Sequence, residues 1–544
     1  MVEDKLIARI EDVVLDAFGE ELEAGVVMLE IPNKKEQGDY SSNIAMRLTR
    51  VLKKNPREIA TVIVAGLEGL DIIKKVEIAG PGFINFYIKA DVMSGVINKV
   101  LDENETYGSS VLETPKRTLV EYVSANPTGQ LHIGHARGAA WGDSLTRIMQ
   151  FAGYDVLREY YVNDLGNQIT MLSHSLYARY REELGLEFEM PEDGYYGDDI
   201  KKIAKDVVSE IGDSYVDADE EQWIPYFKEL GIKFELDRIK HDLSGFRVSF
   251  DSWVSEKALY DEGRVEAVLS DLKEAQVTYE KDGALWFKST DFGDDKDRVL
   301  IKSDGSYTYL VPDIANHMYK LERGYDNLLN LWGGDHHGYI VRMKSALEAL
   351  GHKDVLDVDI IQMVRLIDEG VEVKMSKRTG NAIGLIELVD DIGVDAARYF
   401  FVSRHLNTPL DFDLGLARKK SNDNPVFYAQ YAHARICSIL RQAPAMEKQE
   451  SYSLLTHEKE IELMKYINEF SNVVNDAAKT RSVQKIPNYI QQLSAHFHSF
   501  YGNVKVIDME QPDLTNERLH LLLATKITLN NALNLIGVEA PETM

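Results

Sequence analysis

Residues 117–162 constrain the fold of this chain more than any other stretch. Residues 119–123 are mostly β-branched, aliphatic and aromatic, which predicts a buried parallel strand. Proline and glycine within 126–129 interrupt regular structure, a helical pattern runs to about Gly153, and residues 156–162 predict a second strand. Strand, turn, helix and strand form a βαβ unit, and ligands of such folds bind at the carboxyl ends of the strands. The sequence therefore predicts an α/β fold with its site beside this turn.

The helix of this unit opens on H-I-G-H at residues 132–135. A helix N-terminus presents unpaired N–H groups and a partial positive charge, which together attract phosphate. His132 and His135 can add donors, and Gly134 removes a side chain where a flat ring or backbone must come close. Two surface histidines on a turn are the alternative. The position between a strand and a helix favours the phosphate site.

A second motif, V-K-M-S-K-R-T-G-N, occupies residues 373–381. Lys374 and Lys377 carry compact point charges, which suit a departing pyrophosphate. A solvated surface loop is the alternative, because most short basic clusters are only that. H-I-G-H at His132 and K-M-S-K at Lys374 begin 242 residues apart. Together, H-I-G-H and K-M-S-K resemble the two signatures of class I aminoacyl-tRNA synthetases.

Longer segments extend the resemblance to one family of that class. They read E-Y-V-S-A-N-P-T-G-Q-L-H-I-G-H-A-R-G, S-D-G-S-Y-T-Y-L-V-P-D-I-A-N-H, W-G-G-D-H-H-G-Y and N-P-V-F-Y-A-Q-Y-A-H-A-R. These segments resemble bacterial arginyl-tRNA synthetases, and the similarity runs from G-D-Y-S-S-N at Gly38 to the end of the chain. The resemblance implies an ATP-dependent ligase. Such an enzyme activates L-arginine as arginyl-adenylate and then transfers it to the terminal 2′-hydroxyl of tRNA(Arg).

The resemblance also implies a role for each signature. His132, His135, Lys374 and Lys377 would be catalytic, Mg²⁺ would arrive with ATP, and no tightly bound protein metal is expected. ATP would contact residues of both motifs: His132, Gly134, His135, Lys374, Met375, Ser376 and Lys377. In this family, arginine activation tends to require bound tRNA, a dependence that the residues alone do not show.

An arginine substrate needs a carboxylate that meets its guanidinium group through two hydrogen bonds, beside an aromatic or hydroxyl partner. Asp313 and Tyr309, four residues apart at the opening of a predicted helix, supply that pair. An N-cap role for Asp313 is the alternative, which the residues alone favour. The family resemblance reverses that preference.

The remaining arginine-site residues follow from the resemblance. It assigns Ser124, Asn126 and His135 to the α-amino and carboxylate end of the substrate, and Glu121 could add negative charge. His336 falls where many relatives carry a glutamine near the substrate. Residues 335–337, D-H-H, are of the types that bind metal ions. The sequence offers no second pair of ligands at a spacing that would complete a metal site.

Three domains are expected in a chain of 544 residues. Residues 1–112 read as a small α+β module that contacts tRNA. Residues 113–403 form the Rossmann-like catalytic domain of class I synthetases, with an insertion of mixed helices at about 173–293 that is expected to cover the acceptor end of the RNA. Residues 404–544 show long helical periodicity, which predicts a helical bundle that binds the anticodon loop.

The residues expected to contact tRNA lie in the first and last of these domains. Tyr40 and Asn43 are candidates for the tRNA elbow, with a structural capping turn as the alternative. In the bundle, aromatic and basic residues interleave, as stacking on unpaired bases requires. Tyr431 and Arg435 are the expected anticodon-loop contacts, whereas Phe427 and Phe500 are expected in the core.

Composition bounds the partners and the setting. The formal net charge is −28, whereas nucleic-acid binders usually carry a basic footprint. Acidic residues crowd 182–221, and 465–505 holds five cations, so we expect a local basic face for RNA there. One cysteine, Cys437, excludes a disulfide framework or thiolate zinc site and favours a reducing cytoplasm. No apolar run is long enough for a membrane span, and a monomer is expected.

Two functions of other classes remain open at this stage. A nucleotidyltransferase of the same H-x-G-H superfamily with a small acceptor would need neither the N-terminal module nor the helical C-terminus. A non-catalytic tRNA-binding paralogue would not need His132, Gly134, His135, Lys374 and Lys377, which are all present. A cysteine-specific synthetase is similar in architecture, but it would need the thiolate zinc site that this chain cannot build.

Overall fold

The computed structural model describes residues 2–23, 25–30, 32, 37–373 and 383–544. Its first unit is a three-stranded antiparallel sheet, in the order β1-β3-β2, covered by helices. Apolar residues at helical spacing, such as Leu6 and Ile10, bury one face of the first helix against this sheet. The elements are α1 Val2–Phe18, β1 Tyr40–Ser42, α2 Ile44–Arg47, α3 Thr49–Leu52, α4 Pro56–Gly66, β2 Ile73–Ala79 and β3 Phe83–Ile88.

Helix α5, Ala90–Glu103, leaves this unit. Its residues Val96, Ile97 and Val100 are buried in the large cluster that also fills the C-terminal bundle, not in the core of the N-terminal sheet. The core of the N-terminal module therefore stops near residue 93, before the expected boundary at 112.

The middle of the chain is built on a five-stranded parallel sheet. Its elements, in chain order, are β4 Arg117–Glu121, α6 Ile133–Phe151, β5 Asp155–Val162, α7 Asn167–Glu183, α8 Asp198–Ile211, α9 Glu220–Gly245, β6 Ser252–Ser255, α10 Glu256–Asp261, α11 Arg264–Glu274, β7 Thr278–Lys281, β8 Ala284–Phe287, β9 Arg298–Ile301, α12 Leu310–Glu322, β10 Asn327–Gly333, α13 Tyr339–Ala349 and β11 Leu356–Ile361.

The strand order β11-β10-β4-β5-β6 reverses direction between β4 and β10. The chain leaves β4 toward one edge and β10 toward the other, which opens a crevice at the carboxyl ends of these two strands. The predicted βαβ unit is confirmed, since α6 joins the parallel strands β4 and β5. Helices cover both faces of the sheet, and Trp141 and Leu145 of α6 are fully buried on one of them.

The inserted part is not one contiguous block. Helices α7, α8 and α9 share a separate core around Trp223 and Phe227. The chain then returns to the main sheet through β6, which pairs in parallel with β5. Strands β7, β8 and β9 form a small antiparallel sheet of their own. The expected insertion of mixed helices at 173–293 is therefore wrong for residues 252–255, which belong to the parallel sheet.

A small unit connects the parallel sheet to the C-terminal helices. Its elements are β12 Val364–Asp368, β13 Val371–Glu372, α14 Leu385–Ile392, α15 Val394–Val402, β14 Leu410–Asp413 and α16 Leu414–Arg418. Strand β12 pairs antiparallel with β13 and parallel with β14. The segment that carries the second signature, residues 374–382, lies outside the described residues.

Five helices form the C-terminal bundle. They are α17 Pro425–Gln442, α18 Glu458–Asn468, α19 Phe470–Thr480, α20 Lys485–Asn503 and α21 Pro512–Leu535. The predicted bundle is confirmed, and Phe500 is fully buried as expected, whereas Phe427 is only half-buried. In the part of the chain that the structure describes, no helix is both long and apolar enough to cross a bilayer.

The expected basic face at 465–505 is largely neutralised. Four of its five cations form ion pairs with carboxylates: Lys465 with Asp39, Arg481 with Asp357 and Asp359, Lys485 with Asp476, and Lys505 with Asp508. Residue spacing along a helix reveals cations but not the acids that other elements bring to them. That expectation is therefore wrong for most of this segment.

Candidate active site

The end of strand β4 carries an unusual backbone. Val123 and Ser124 have φ angles of 68° and 38°, a region that β-branched residues rarely occupy. The turn directs the Ser124 hydroxyl to donate to Glu121 Oε1 at 3.2 Å and to accept from the Tyr161 backbone N–H at 3.1 Å. Because its one proton is committed to Glu121, Ser124 can only accept from a ligand, as an ammonium group requires.

The first signature forms the N-terminus of α6 as predicted. His132 is the N-cap, and its Nδ1 accepts from the Gly134 N–H at 3.1 Å. The His135 Nδ1 faces the His132 backbone N–H at 3.4 Å, and the two rings stack with centroids 3.7 Å apart. Both Nδ1 atoms act as acceptors, so each neutral ring carries its proton on Nε2. Two Nε2 donors at a helix N-terminus match a phosphate group.

Gly384 brings the far side of the second signature to the first. It forms a β-bridge with His132, and the adjacent Leu385 N–H donates to the Leu131 carbonyl at 2.7 Å. On the near side, Val373 N–H donates to Leu366 O at 2.9 Å. Lys374, Met375, Ser376 and Lys377 themselves lie outside the described residues. The far flank is therefore fixed beside the first signature, and the near flank is fixed to strand β12.

An acidic pocket lies beside this phosphate site. Asp313 in the first turn of α12 lies close enough to Glu256, at the start of α10, for its charge to raise the pKa of Glu256. Burial and the neighbouring Glu121 raise the pKa of Asp313 to about 6. Burial, Asp313 and Asp164 raise the pKa of Glu256 to about 7. Among the described residues, no cation pairs with either carboxylate.

Two tyrosines belong to this pocket. Tyr339 of α13 donates its hydroxyl proton to Asp313 Oδ2. Tyr161, at the end of β5, lies among Glu256, Asp313, Glu121 and Asp164, and burial followed by these charges raises the pKa of its hydroxyl. The pocket thus offers paired carboxylates framed by aromatic rings. This is the complement of a guanidinium group.

A buried ion network supports the pocket from below. Lys320 of α12, fully buried, pairs with Glu121 and lies 3.7 Å from Glu159 of β5. Arg323 completes the network on Glu159. Burial raises the pKa of Glu121, but the Lys320 ammonium, together with the other neighbours that lower it, including the hydrogen bonds from Lys320 and Ser124, outweighs burial, and the net direction is down. Glu121 is therefore ionised and compensated within the protein, unlike Asp313 and Glu256.

His317, one turn after Asp313 on α12, is held neutral. Its Nδ1 lies 2.7 Å from the Asp313 carbonyl, and its Nε2 lies 2.9 Å from the Asn330 side-chain amide. The amide nitrogen can only donate, so Nδ1 carries the proton. Burial lowers the pKa of His317 to about 4. This ring fixes α12 against β10 without adding charge to the pocket.

The other residues expected at the arginine site differ in their contacts and in their exposure. The Asn126 amide donates to Gln168 Oε1 at 2.8 Å, and His336 is exposed near the Trp332 ring. Tyr309 is 81% exposed. The expected pairing of Tyr309 with Asp313 is wrong for this structure, because the hydroxyl partner of Asp313 is Tyr339. Roles for Tyr309, Asn126 and His336 in arginine binding stay predictions.

Of the two candidates for the tRNA elbow, Tyr40 is buried and Asn43 is half-buried. The Tyr40 hydroxyl accepts from the Asn468 amide of the bundle at 3.2 Å. The Asn43 side-chain oxygen is also buried. Tyr40 therefore joins the N-terminal module to the bundle and offers no ring to RNA. Sequence spacing could not show this, since its partner lies 428 residues away.

Tyr431 and Arg435 form an aromatic and basic surface on the bundle. Arg435 donates to the hydroxyls of Tyr431 and Tyr501, each at 3.2 Å, and its guanidinium lies 4.8 Å from the Tyr501 ring centroid. His498 stacks with Tyr431 at 6.0 Å. All four side chains are half-buried. Rings with one open face suit the stacking of unpaired bases, so the anticodon contact stays a prediction that this geometry favours.

Comparison with known families decides which enzymes the chain resembles. A family model described as tRNA synthetases class I (R), catalytic domain, matches residues 96–404. Arginyl tRNA synthetase N terminal domain matches residues 4–88, and DALR anticodon binding domain matches residues 429–544. Arginine–tRNA ligase of Bacillus licheniformis is 52% identical over 550 residues, covering 100% of this chain and 99% of the relative.

The chain belongs to the arginyl-tRNA synthetase family. A second relative, arginine–tRNA ligase of Bacillus subtilis, is also 52% identical, over 552 residues that cover 100% of this chain and 99% of the relative. Two solved arginyl-tRNA synthetases share the fold at 21% identity. That of Thermus thermophilus has a TM-score of 0.77 over 100% of both chains, and that of Plasmodium falciparum has 0.75 over 99% of both.

Four residues of the candidate site are not predicted from the sequence, and these are Glu256, Tyr339, Tyr161 and Lys320. Glu256 lies in the segment F-D-S-W-V-S-E, which the sequence analysis assigns to the insertion. Reading S-W-V-S as a short parallel strand would have put Glu256 at a strand end. Tyr339 follows W-G-G-D-H-H-G, another predicted strand end. No local signal marks Lys320, whose two carboxylate partners lie on other elements.

Proposed function

We propose that the pocket of Asp313 and Glu256 binds the guanidinium group of arginine, with Tyr339 and Tyr161 framing it. The chain is an arginine–tRNA ligase, an enzyme that uses ATP. The observation that carries the proposal is a buried carboxylate, Glu256, beside a half-buried one, Asp313, neither of which forms an ion pair within 4 Å of a cation among the described residues. A bound guanidinium would supply the missing charge and the hydrogen bonds together.

The α-amino end of arginine would then lie toward β4. Ser124 and Glu121 accept from the ammonium group, and Asn126 and His135 contact the carboxylate end. This orientation points the carboxylate at the His132–His135 site, where the α-phosphate of ATP is held by Nε2 donors and helix N–H groups. Tyr309 and His336 would lie at the rim of the same pocket.

Adenylate formation follows from positioning rather than from a covalent enzyme intermediate. The arginine carboxylate attacks the α-phosphorus in line, and pyrophosphate leaves. Lys374 and Lys377 neutralise the departing charge together with the Mg²⁺ that accompanies ATP, while Met375 and Ser376 contribute to ATP binding. In the second step, the terminal 2′-hydroxyl of tRNA(Arg) attacks the adenylate carbonyl and AMP leaves. Tyr431 and Arg435 would hold the anticodon loop.

We infer further that the enzyme is a monomer of the cytoplasm. Cys437 is buried and unpaired, and burial raises the pKa of its thiol, as suits a reduced compartment. Light scattering of the purified enzyme and subcellular fractionation test these two inferences.

The decisive experiment is ATP–pyrophosphate exchange with each of the twenty amino acids, with and without tRNA. Exchange with arginine and with none of the other nineteen amino acids would support the assignment of the pocket to the guanidinium group. Exchange that occurs only when tRNA is present would show that arginine activation requires tRNA in this enzyme too. Exchange with a different amino acid would refute the pocket assignment.

The second signature is tested in the same assay. Lys377→Ala should lower the rate of exchange by more than about tenfold, because a charge that stabilises the leaving pyrophosphate is lost. The affinity for tRNA, measured by filter binding, should stay unchanged. Undiminished exchange would remove Lys377 from the mechanism.

A further inference from the structure

Arg418 at the end of α16 makes an unusual double contact. Its Nε donates to the two carboxylate oxygens of Asp391 at 2.8 and 3.1 Å, and its Nη2 donates to Asp391 Oδ2 at 2.6 Å. Its Nη1 donates to both oxygens of Asp368 at 2.9 and 3.0 Å. One guanidinium group therefore binds two carboxylates from two different elements. Lysine could not reproduce this, because an ammonium group is a single point charge.

The two carboxylates belong to the elements that flank the second signature. Asp368 ends β12, in a tight hairpin that leads through β13 to Val373. Asp391 lies in the last turn of α14, which begins directly after Gly384. The chain thus leaves the hairpin at Val373, passes through the residues that carry Lys374 and Lys377, and returns at Ile383 to α14. Arg418 therefore connects the hairpin that precedes the second signature to the C-terminal end of the helix that follows it.

The same residue is anchored to the bundle. Asn424, the N-cap of α17, is buried, and its amide donates to the carbonyls of Ala417 and Lys419 at 3.0 and 2.9 Å. Its Oδ1 accepts from the Val426 N–H at 3.0 Å. The backbone on either side of Arg418 is therefore fixed to the helix that carries Tyr431 and Arg435.

We propose that Arg418 is a positioning residue for adenylate formation, which holds the hairpin of β12 and β13 and helix α14 at the spacing that the second signature needs to reach ATP. This rests on the proposed role of Lys374 and Lys377. Side chains in the cluster are 34–40% exposed, so solvent screens its ion pairs to an extent similar to that of other exposed two-pronged contacts on the surface. The contribution of Arg418 is therefore geometric, and its loss is felt in the reaction rather than in folding.

The test compares Arg418→Gln with Arg365→Gln in ATP–pyrophosphate exchange. Arg365 is a matched control, because it also makes an exposed two-pronged contact, to Asp411 at 2.7 and 3.0 Å, but within one small sheet. Arg418→Gln should lower kcat by about tenfold and raise the KM for ATP, since small displacements of reacting groups are costly. The KM for arginine, the tRNA affinity and the melting temperature should stay as in the wild type. Arg365→Gln should leave all of these unchanged.

Two further variants show whether the bridge itself matters. Arg418→Lys should lose as much activity as Arg418→Gln, and Arg418→Gln combined with Asp391→Asn should be no worse than either single change. Wild-type exchange in Arg418→Gln, an equal rise in the KM for arginine, or the same loss in Arg365→Gln would overturn the proposal. Lys377→Ala separates this proposal from the proposed function. Wild-type exchange in Lys377→Ala would refute the role of the signature lysine. Loss of exchange in Lys377→Ala, together with wild-type exchange in Arg418→Gln, would refute only the positioning role of Arg418.

Discussion

At the scale of single residues, the carboxylates of Asp313 and Glu256 are held in an environment that disfavours their ionised forms. Burial and the charge of Glu121 raise the pKa of Asp313 to about 6, and burial and the charge of Asp313 raise the pKa of Glu256 to about 7. The folding energy of the surrounding sheet and helices holds these charges together without a partner. A guanidinium that enters the pocket relieves this repulsion and regains hydrogen bonds, so selectivity for arginine over a neutral side chain follows from electrostatics.

Asp313→Asn should weaken arginine binding by roughly 2–4 kcal/mol, because one carboxylate of a charge-assisted contact is lost and the guanidinium is left half unpaired. The KM for arginine in ATP–pyrophosphate exchange measures this. Glu322→Gln, on the exposed end of the same helix, is the control and should behave as the wild type. Unchanged arginine affinity in Asp313→Asn would place the guanidinium elsewhere.

The sequence could predict which residues near the strand ends belong to the site, but it could not predict which side chains contact one another there. Asp313 was identified because carboxylates are the chemical complement of arginine. Its hydroxyl partner, Tyr339, lies 26 residues further on and reaches Asp313 only through the packing of α12 against α13. Likewise, the positive φ of Val123 has no sequence signature, because valine ordinarily avoids it.

At the scale of an element, helix α6 combines cap and ligand site in the same residues. The His132 ring caps the helix through Nδ1, so a neutral ring carries its proton on Nε2, at the proposed phosphate site. Gly134 permits this closely packed arrangement: a Cβ there would lie 3.0 Å from His132 Cε1 and 3.1 Å from Nδ1. The glycine of the motif is therefore required by the ring beside it, not by an unusual φ angle.

Gly134→Ala should push the His132 ring by a few tenths of an ångström and disturb its stacking on His135. We expect kcat for ATP–pyrophosphate exchange to fall by about ten- to a hundredfold, because the phosphate donors are displaced. Thermal stability should not fall, since alanine favours a helix more than glycine by roughly 1 kcal/mol. Gly245→Ala, on α9 where the added Cβ meets no atom within 4 Å, is the control. Full exchange activity in Gly134→Ala would contradict this account.

The elements themselves could be predicted well where the pattern is local. Helix α1 spans Val2–Phe18 as its apolar spacing indicates, and β4, α6 and β5 follow the predicted order. Strand β6 was missed because it has only four residues and is bounded by helices. A short run of that kind reads as part of a loop until its parallel partner β5 is known.

At the scale of the whole molecule, the N-terminal module docks on the bundle through acidic groups. Glu3 of α1 is buried and accepts from the side-chain amides of Asn468 and Asn472. It also lies against Glu469, while nearby Lys465 pairs with Asp39 of the module. Burial, the hydrogen bond to Glu3 and the charge of Glu3 raise the pKa of Glu469 to about 9. At neutral pH the two carboxyl groups therefore share a proton across the interface.

This shared proton makes docking depend on pH with a defined sign. The folded protein keeps the proton of Glu469 up to about pH 9, whereas the unfolded chain releases it near the ordinary pKa of 4.5. Its contribution to stability is fully present below about pH 4.5 and is lost as the pH rises toward 9. Glu469→Gln keeps a hydrogen-bond donor to Glu3 but cannot titrate, so its melting temperature should fall less between about pH 6 and pH 9 than that of the wild type.

Thermal unfolding at the two pH values measures this difference, and hydrogen exchange of α1 locates it at the interface. Glu510→Gln, on an exposed part of the bundle, should retain the wild-type pH dependence. Equal losses of melting temperature in Glu469→Gln and the wild type would show that the carboxyl pair does not govern docking. Faster exchange of α1 at pH 9 in the wild type, absent in Glu469→Gln, would show that ionisation of the pair separates the module from the bundle before the rest of the molecule unfolds.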